Sequence, residues 1–265
     1  MGQFQILGLY LALFWNGTVL VIVPIKQIKF KMMKYLTLVF FMIPALLLAK
    51  PNHSPWSELL QKHVSAIGKV DYKGLEKDKA KLNEYLKSLQ KENPYAVWSK
   101  DEKLAFWINA YNAFTVKAIL DYYPVSSITH IKPANSNTIW KLKWIEIAGK
   151  KLSLDEIEND IIRPEFKDAR IHFAVNCAAK SCPPLRNEAY TAEKLDYQLN
   201  EQTRKFLNDK LMNKISANKA EISNIFYWYA DDFKLVEFIN KYSTVKISES
   251  TKVTYLEYDW ALNEK

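Results

Sequence analysis

The sequence predicts an α+β domain in which a mostly antiparallel sheet packs against a central buried helix and surrounding helices. Three observations carry that expectation. Between Leu104 and Leu120 only Asn109, Asn112, Thr115 and Lys117 are polar, so apolar residues surround nearly the whole axis, which marks a helix running through a core. Segments rich in strand formers fall at 138–154, 170–177, 212–222 and 252–258, two of them patterned as hairpins. Amphipathic helices at 75–91 and 191–209 flank them, an order that suits an α+β chain better than a regularly alternating one.

The first 49 of the 265 residues differ from the rest. They hold no Asp or Glu, and their charges are Lys26, Lys29, Lys31 and Lys34. Residues 5–25 are uncharged and long enough to span a bilayer, whereas 35–49 has the length of a signal-peptide core. Initiation at Met33 or Met32 gives MKYLTLVFFMIPALLLA, a signal peptide over 33–49 with Ala49 before the cut. Residues 1–32 are then an over-extended start, the alternative being a membrane anchor at 5–25. Either reading exports residues 50–265 as a single domain to the periplasm, the medium or the outer face of a membrane.

The formal charge is +8, and without the leader 33 basic residues stand against 29 acidic ones, leaving +4. The lysines alternate with acids, as in KGLEKDKAKLNEYLKSLQKE, which describes a solvated helix face and not a nucleic-acid patch. No nucleic-acid partner is expected, and membrane contact is expected only through the leader or anchor.

Taken in order, Trp56, Leu59, Leu60 and Val64 recur at helical spacing in 56–67, Gly68 and Gly74 bracket a connection, and Asn93 with Pro94 stops the helix at 75–91. Ser99 is a good N-cap for the central helix, Asp101 and Glu102 suit its first turn, and Pro124 ends it. Ile139, Leu142, Ile145 and Ile147 supply a hairpin whose turn is Gly149 with Lys150. Ser153 and Glu156 form a capping-box pattern before a helix at 154–163. RIHFAVNC at 170–177 reads as the best strand, with Ile171, Phe173 and Val175 on one face and His172, Ala174 and Asn176 on the other. Thr191 caps the helix at 191–209; a hairpin at 212–222, helices at 223–241 and a strand at 252–258 complete the chain.

The strand's small, polar face suits the floor of a cleft. His172 exchanges protons near neutral pH, and Asn176 hydrogen-bonds without titrating. Cys177 closes the strand, and the loop AAKSCPP returns Lys180, Ser181 and Cys182 toward it. Three readings stand open. The cysteines form a disulfide or are structural thiols, as a close pair in an oxidising compartment often does. Alternatively, Cys177 is a nucleophile with His172 as base, Glu158 as the carboxylate orienting that imidazole, and Asn176 or Asn109 as oxyanion donor. Metal ligation is the weakest of the three, because no spaced fourth ligand accompanies the cysteines. Asn109 and Asn112, three apart in an apolar helix, are either structural pins or part of the cleft. With Asn176, Lys180, Ser181, Cys182 and Arg186 they make up the candidate binding set.

After residue 49 the glycines are Gly68, Gly74 and Gly149, so no phosphate-cradling loop or dinucleotide fingerprint exists there. His53, His63, His130 and His172 form no HExxH pair. No cofactor and no metal is expected.

The segments KLAFWINAYNAFTVKAIL, LSLDEIEN, ARIHFAVNCAAKSCPPLR, AYTAEKLDYQLN, IFYWYADDF and YDWALN follow one another in a fixed order. Together they make residues 95–262 resemble the domain of unknown function 547 family. Bacterial members of that family often look secreted, which agrees with the leader here, and HFAVNCAAKSCPP corresponds to the family's most distinctive motif. The passage from buried helix to His-bearing segment is loosely similar to papain-like and transglutaminase-like folds, although SKDEKLAFWINAYN lacks the Cys that begins their central helix. The expected function is an exported cell-envelope domain that binds a peptide, glycan or protein in a cleft. The alternative is a Cys/His-dependent hydrolase or acyl transferase.

Overall fold

A computed structural model describes residues 10–15, 18–24, 51–95 and 97–265. The chain forms two units, Met1–Ala49 and Lys50–Lys265. In the first, β1 (Tyr10–Trp15) and β2 (Thr18–Pro24) pair antiparallel. The candidate anchor at 5–25 is therefore a strand pair where it is described, and the candidate signal segment at 33–49 lies outside the described residues. Among the described residues no helix is long and apolar enough to cross a membrane.

The second unit is an α+β assembly built around one helix. Helices α1 (Ser54–His63), α2 (Tyr72–Lys77) and α3 (Lys79–Lys91) lead to α4 (Lys100–Asp121). Its start is fixed by a full capping box, in which Ser99 Oγ accepts the Glu102 N–H and Glu102 accepts the Ser99 N–H. Sixteen of its 22 residues are buried, including Asn109, Asn112 and Thr115. That all-round burial is what the missing polar stripe predicts.

Strands β3 (Ile145–Ile147) and β4 (Lys150–Leu152) form the first hairpin of this unit. Ile147 pairs with Lys150, so the two-residue turn is Ala148–Gly149, one residue earlier than expected; both have positive φ, 51° and 74°. Ser153 and Glu156 make the expected capping box. The helix they start is π-helical over Glu156–Ile162 and continues as α5 (Arg163–Phe166).

Residues 170–177 are not a strand. A 3-10 helix, Ala169–Phe173, runs into an irregular loop, and every residue from Ile171 to Asn176 is buried. Asp168 accepts the Arg170 N–H and starts the 3-10 turn, and Ile171 O accepts the N–H groups of Ala174 and Val175. Asn112 adds two more bonds, donating to Ala174 O at 2.9 Å and accepting from Asn176 N at 2.8 Å. These local and side-chain bonds take the place of a neighbouring strand. The alternation of faces read from the sequence does not exist.

Helix α6 (Leu195–Leu207) starts later than expected, and Thr191 does not cap it: Thr191 instead donates its N–H to Gln198 Oε1. Strands β5 (Lys214–Ile215) and β6 (Lys219–Ile222) pair antiparallel, and β7 (Lys252–Tyr255) joins β6 in parallel. Between them lie α7 (Ile225–Trp228), a 3-10 turn at Ala230–Asp232 and α8 (Leu235–Tyr242). The strands thus form separate small sheets, not one sheet across the central helix. Two apolar cores result, one around α4 and one around Phe173, Phe206 and Phe226. His172 lies at the seam, between Ile171 of the first core and Phe173 of the second.

Candidate functional site

A cavity of about 370 Å³ opens where the loop after the 3-10 helix meets the π-helical turn and α7. His172, Glu158, Cys177 and Cys182 line it, as do Tyr111, Tyr229 and Tyr258 from three other elements. The remaining candidates lie elsewhere.

His172 is nearly inaccessible, and its ring stacks on Tyr229 with centroids 4.0 Å apart. Its Nε2 lies 2.7 Å from Asp232 Oδ2, while Nδ1 is buried without a partner. Burial lowers the imidazole to about 4, against the pull of the Asp232 carboxylate. The ring is therefore neutral at pH 7. Facing an ionised carboxylate, Nε2 carries the proton, which leaves the lone pair on Nδ1.

Asp232, and not Glu158, orients the imidazole. Burial alone would raise this carboxyl, but bonds from Arg163 and His172 outweigh it and hold it below the usual carboxylate range. Glu158 belongs to a different pair of contacts. It accepts the Tyr229 hydroxyl at 2.6 Å and is bonded also by Tyr111. Burial pushes it up despite those two bonds, so it keeps a proton more readily than an exposed glutamate does.

Both thiols are free, so the bridge weighed from the sequence is not formed in this structure. Cys182 Sγ accepts the Cys177 N–H at 2.8 Å, and Tyr258 Oη lies 3.2 Å from Cys177 Sγ. The bond from Cys182 lowers the Cys177 thiol most; Tyr258 and the Ala179 N–H add to it and together overcome burial. Cys182, deeper, is pushed up by burial first and by the neighbouring Cys177 thiol, which outweigh the bonds from the Cys177 N–H and Tyr258. Immediately after Cys177, Ala178 holds φ of 63°, a left-handed conformation that costs a non-glycine residue about 1–2 kcal/mol. Asn176 stabilises this turn by accepting the Ala178 N–H at 2.9 Å.

The asparagines are pins. Asn109 exchanges two hydrogen bonds with the backbone of Tyr190, at 2.8 and 2.9 Å. Asn176 donates to Pro183 O, and neither it nor Asn109 lines the cavity where an oxyanion donor would stand. Arg186 is held by Glu188 and Glu201 at 2.6 Å each. Ser181 Oγ accepts the Asp259 N–H, and Lys180 Nζ stands 3.9 Å from Asp259. Among the described residues no cluster of His, Cys, Asp and Glu could hold a metal ion.

Sequence reasoning missed Arg163, Tyr229, Asp232 and Tyr258. Tyr229 and Asp232 fall within IFYWYADDF, and Tyr258 begins in YDWALN; the dense aromatic and acidic residues of those two segments were the available signal.

No curated protein and no solved structure matches the chain. Residues 95–207, a segment that holds His172 and both cysteines, match the family model described as protein of unknown function, DUF547.

Proposed function

We propose that the second unit is a thiol-dependent acyl-transfer enzyme, a hydrolase or acyl transferase, with Cys177 as nucleophile and the His172–Asp232 pair as its proton acceptor and donor. The observation that carries the reading is the free Cys177 thiol, whose ionisation its neighbours favour over burial, on the wall of the cavity that His172 also lines. The likeness to papain-like enzymes is one of roles: a carboxylate fixes one imidazole nitrogen and leaves the other for proton transfer. Here the His precedes the Cys in the chain, and the thiol comes from a strained loop and not from the central helix.

In the reaction, the Cys177 sulfur bonds to an acyl carbon, and the bond from that carbon to its oxygen or nitrogen leaving group breaks. His172 Nδ1 takes the thiol proton and passes it to the departing atom. Water, or an acceptor hydroxyl or amine, then gives its proton to the same nitrogen and attacks the thioester, which releases the acyl product and restores the thiol. Glu158, raised by burial, accepts the Tyr229 hydroxyl on the wall of the same cavity.

The test uses the full chain and p-nitrophenyl acetate. A burst of p-nitrophenol with acetylation mapped to Cys177 is expected, absent in Cys177→Ser and slowed roughly 10²- to 10⁴-fold in Asp232→Asn, as for other orienting carboxylates. A chain that never acylates at Cys177 rejects the reading. One observation favours binding without turnover: no hydrogen bond joins His172 to Cys177 among the described residues. On that reading Cys177→Ser would keep every function of the protein. The proposal extends to location. The leader pattern at 33–49 supports work outside the cytoplasm, and N-terminal sequencing of the mature chain tests cleavage after Ala49.

A further inference from the structure

The mouth of the cavity is built from large rings, of which only Tyr258 touches the reacting thiol. Trp228 is 45% exposed and stacks with Trp260, centroids 5.9 Å apart and planes 26° apart. Trp140 meets Trp260 edge-on at 5.8 Å, and Tyr258 packs on Trp228 at 4.8 Å and on Trp260 at 4.6 Å. These four rings line the same cavity as Cys177. Indole faces left in water at a cavity mouth forgo the burial that ordinarily stabilises them, which marks a surface meant to be covered.

The neighbours of the rings choose the ligand. Thr138, Lys141, Asp155 and Asn159 line the cavity beside the four rings. An acyl chain would strip water from those polar groups and give them no hydrogen bond in return. A quaternary ammonium ion would need bare negative charge behind the rings. Glu158 instead accepts the Tyr229 hydroxyl, Asp155 accepts from the Asn159 amide at 3.1 Å, and Lys141 adds a positive charge. A pyranose satisfies both halves, laying its C–H face on a ring and turning its hydroxyl edge to the polar groups.

We propose that the Trp140, Trp228, Tyr258 and Trp260 shelf binds a saccharide, so that the substrate is an acyl or amide group carried on a glycan. The assignment rests on the thiol reading for the reaction but not for the binding.

Tryptophan fluorescence of the full chain, titrated with chitotetraose, cellotetraose, maltotetraose and mannotetraose, tests it. At least one sugar is expected to saturate, with Trp228→Ala weakening that binding tenfold or more and Trp228→Phe restoring most of it. Saturation by none of the four, or an unchanged affinity in Trp228→Ala, overturns the proposal. So does saturation by benzyltrimethylammonium or decanoate alone. Alkylation of Cys177 by iodoacetamide, run on the same wild-type sample, separates the two readings. Sugar binding with an inert thiol removes the acyl transfer and keeps the shelf; a reactive thiol with no sugar bound does the reverse.

Discussion

Arg163 and His172 share one oxygen: each reaches Asp232 Oδ2 at 2.7 Å, the guanidinium through Nε and the imidazole through Nε2. The same guanidinium lies over the ring of Tyr229, 4.8 Å from its centroid, while His172 packs on Tyr229 at 4.0 Å. The four side chains close a loop in which Asp232 is held by two donors and Tyr229 contacts both of them. Such a loop fixes the imidazole in position and in tautomer, and leaves Nδ1 as the nitrogen able to accept a proton.

Replacing Arg163 with Met should raise the titration of His172 from about 4 toward its ordinary value. The guanidinium charge disfavours the imidazolium, and its loss also leaves Asp232 Oδ2 to His172 alone. Both changes favour the charged ring. The imidazole carbon-bound proton resonances, followed by NMR from pH 3 to 8, give the direction, and a titration that stays put or moves lower would show that Arg163 serves packing only.

Cys182→Ser should slow alkylation of Cys177 at neutral pH. The Cys182 bond is the largest of the influences that favour the Cys177 thiolate, and Tyr258 supplies a smaller one in the same sense. Iodoacetamide rates measured against pH should shift to higher pH in Cys182→Ser, and by less in Tyr258→Phe. The reverse order of the two variants would transfer the main stabilising role to the tyrosine.

The parts of this molecule that local rules govern were legible in its sequence. The Ser99 cap, the burial of the central helix, the Ser153 and Glu156 box and the two short hairpins each follow from residues a few positions apart. The candidate site was legible only in part. His172, Glu158, Cys177 and Cys182 do line one cavity, yet the partner of His172 is 60 positions away, and no spacing rule reaches that far. The strand was misread because alternation informs only where one face is wet. Ile171 to Asn176 are buried on every side, and two of their backbone groups are met by Asn112, a pin from a helix more than 60 positions earlier.

Ala148→Asn should stabilise the fold by about 0.5–1 kcal/mol, because a two-residue hairpin turn with positive φ at both positions favours Asn before Gly. Ala148 holds φ of 51° ahead of Gly149 at 74°, and it donates its N–H to Gln90 O, a bond that the substitution keeps. Thermal unfolding should shift upward by about 2 °C. Ala148→Val, which resists that backbone, should move it downward, and a gain in the Val variant would contradict the turn assignment.

Acidification should unfold the protein through two histidines before its carboxylates respond. His53, bonded by Nδ1 to the Tyr85 hydroxyl at 2.7 Å, and His172 are both lowered by burial to about 4. In the unfolded chain each accepts a proton near 6.5, so between 6.5 and 4 the unfolded state binds more protons and stability falls with pH. The loss is negligible above that window, complete below it, and roughly 2 kcal/mol per histidine between pH 7 and pH 5. Asp78, Asp168, Glu188 and Asp232, all held below their usual range, lose their contributions only as pH falls through the carboxylate region. Glu158, raised by burial, has the opposite sign and offsets part of the loss, because its protonation favours the fold. Urea unfolding at pH 7 and pH 5 should therefore show a marked drop in free energy that shrinks by about 2 kcal/mol in His53→Phe. An equal drop in wild type and variant would mean that His53 is protonated as easily in the fold as out of it, which its buried, partnerless Nε2 argues against.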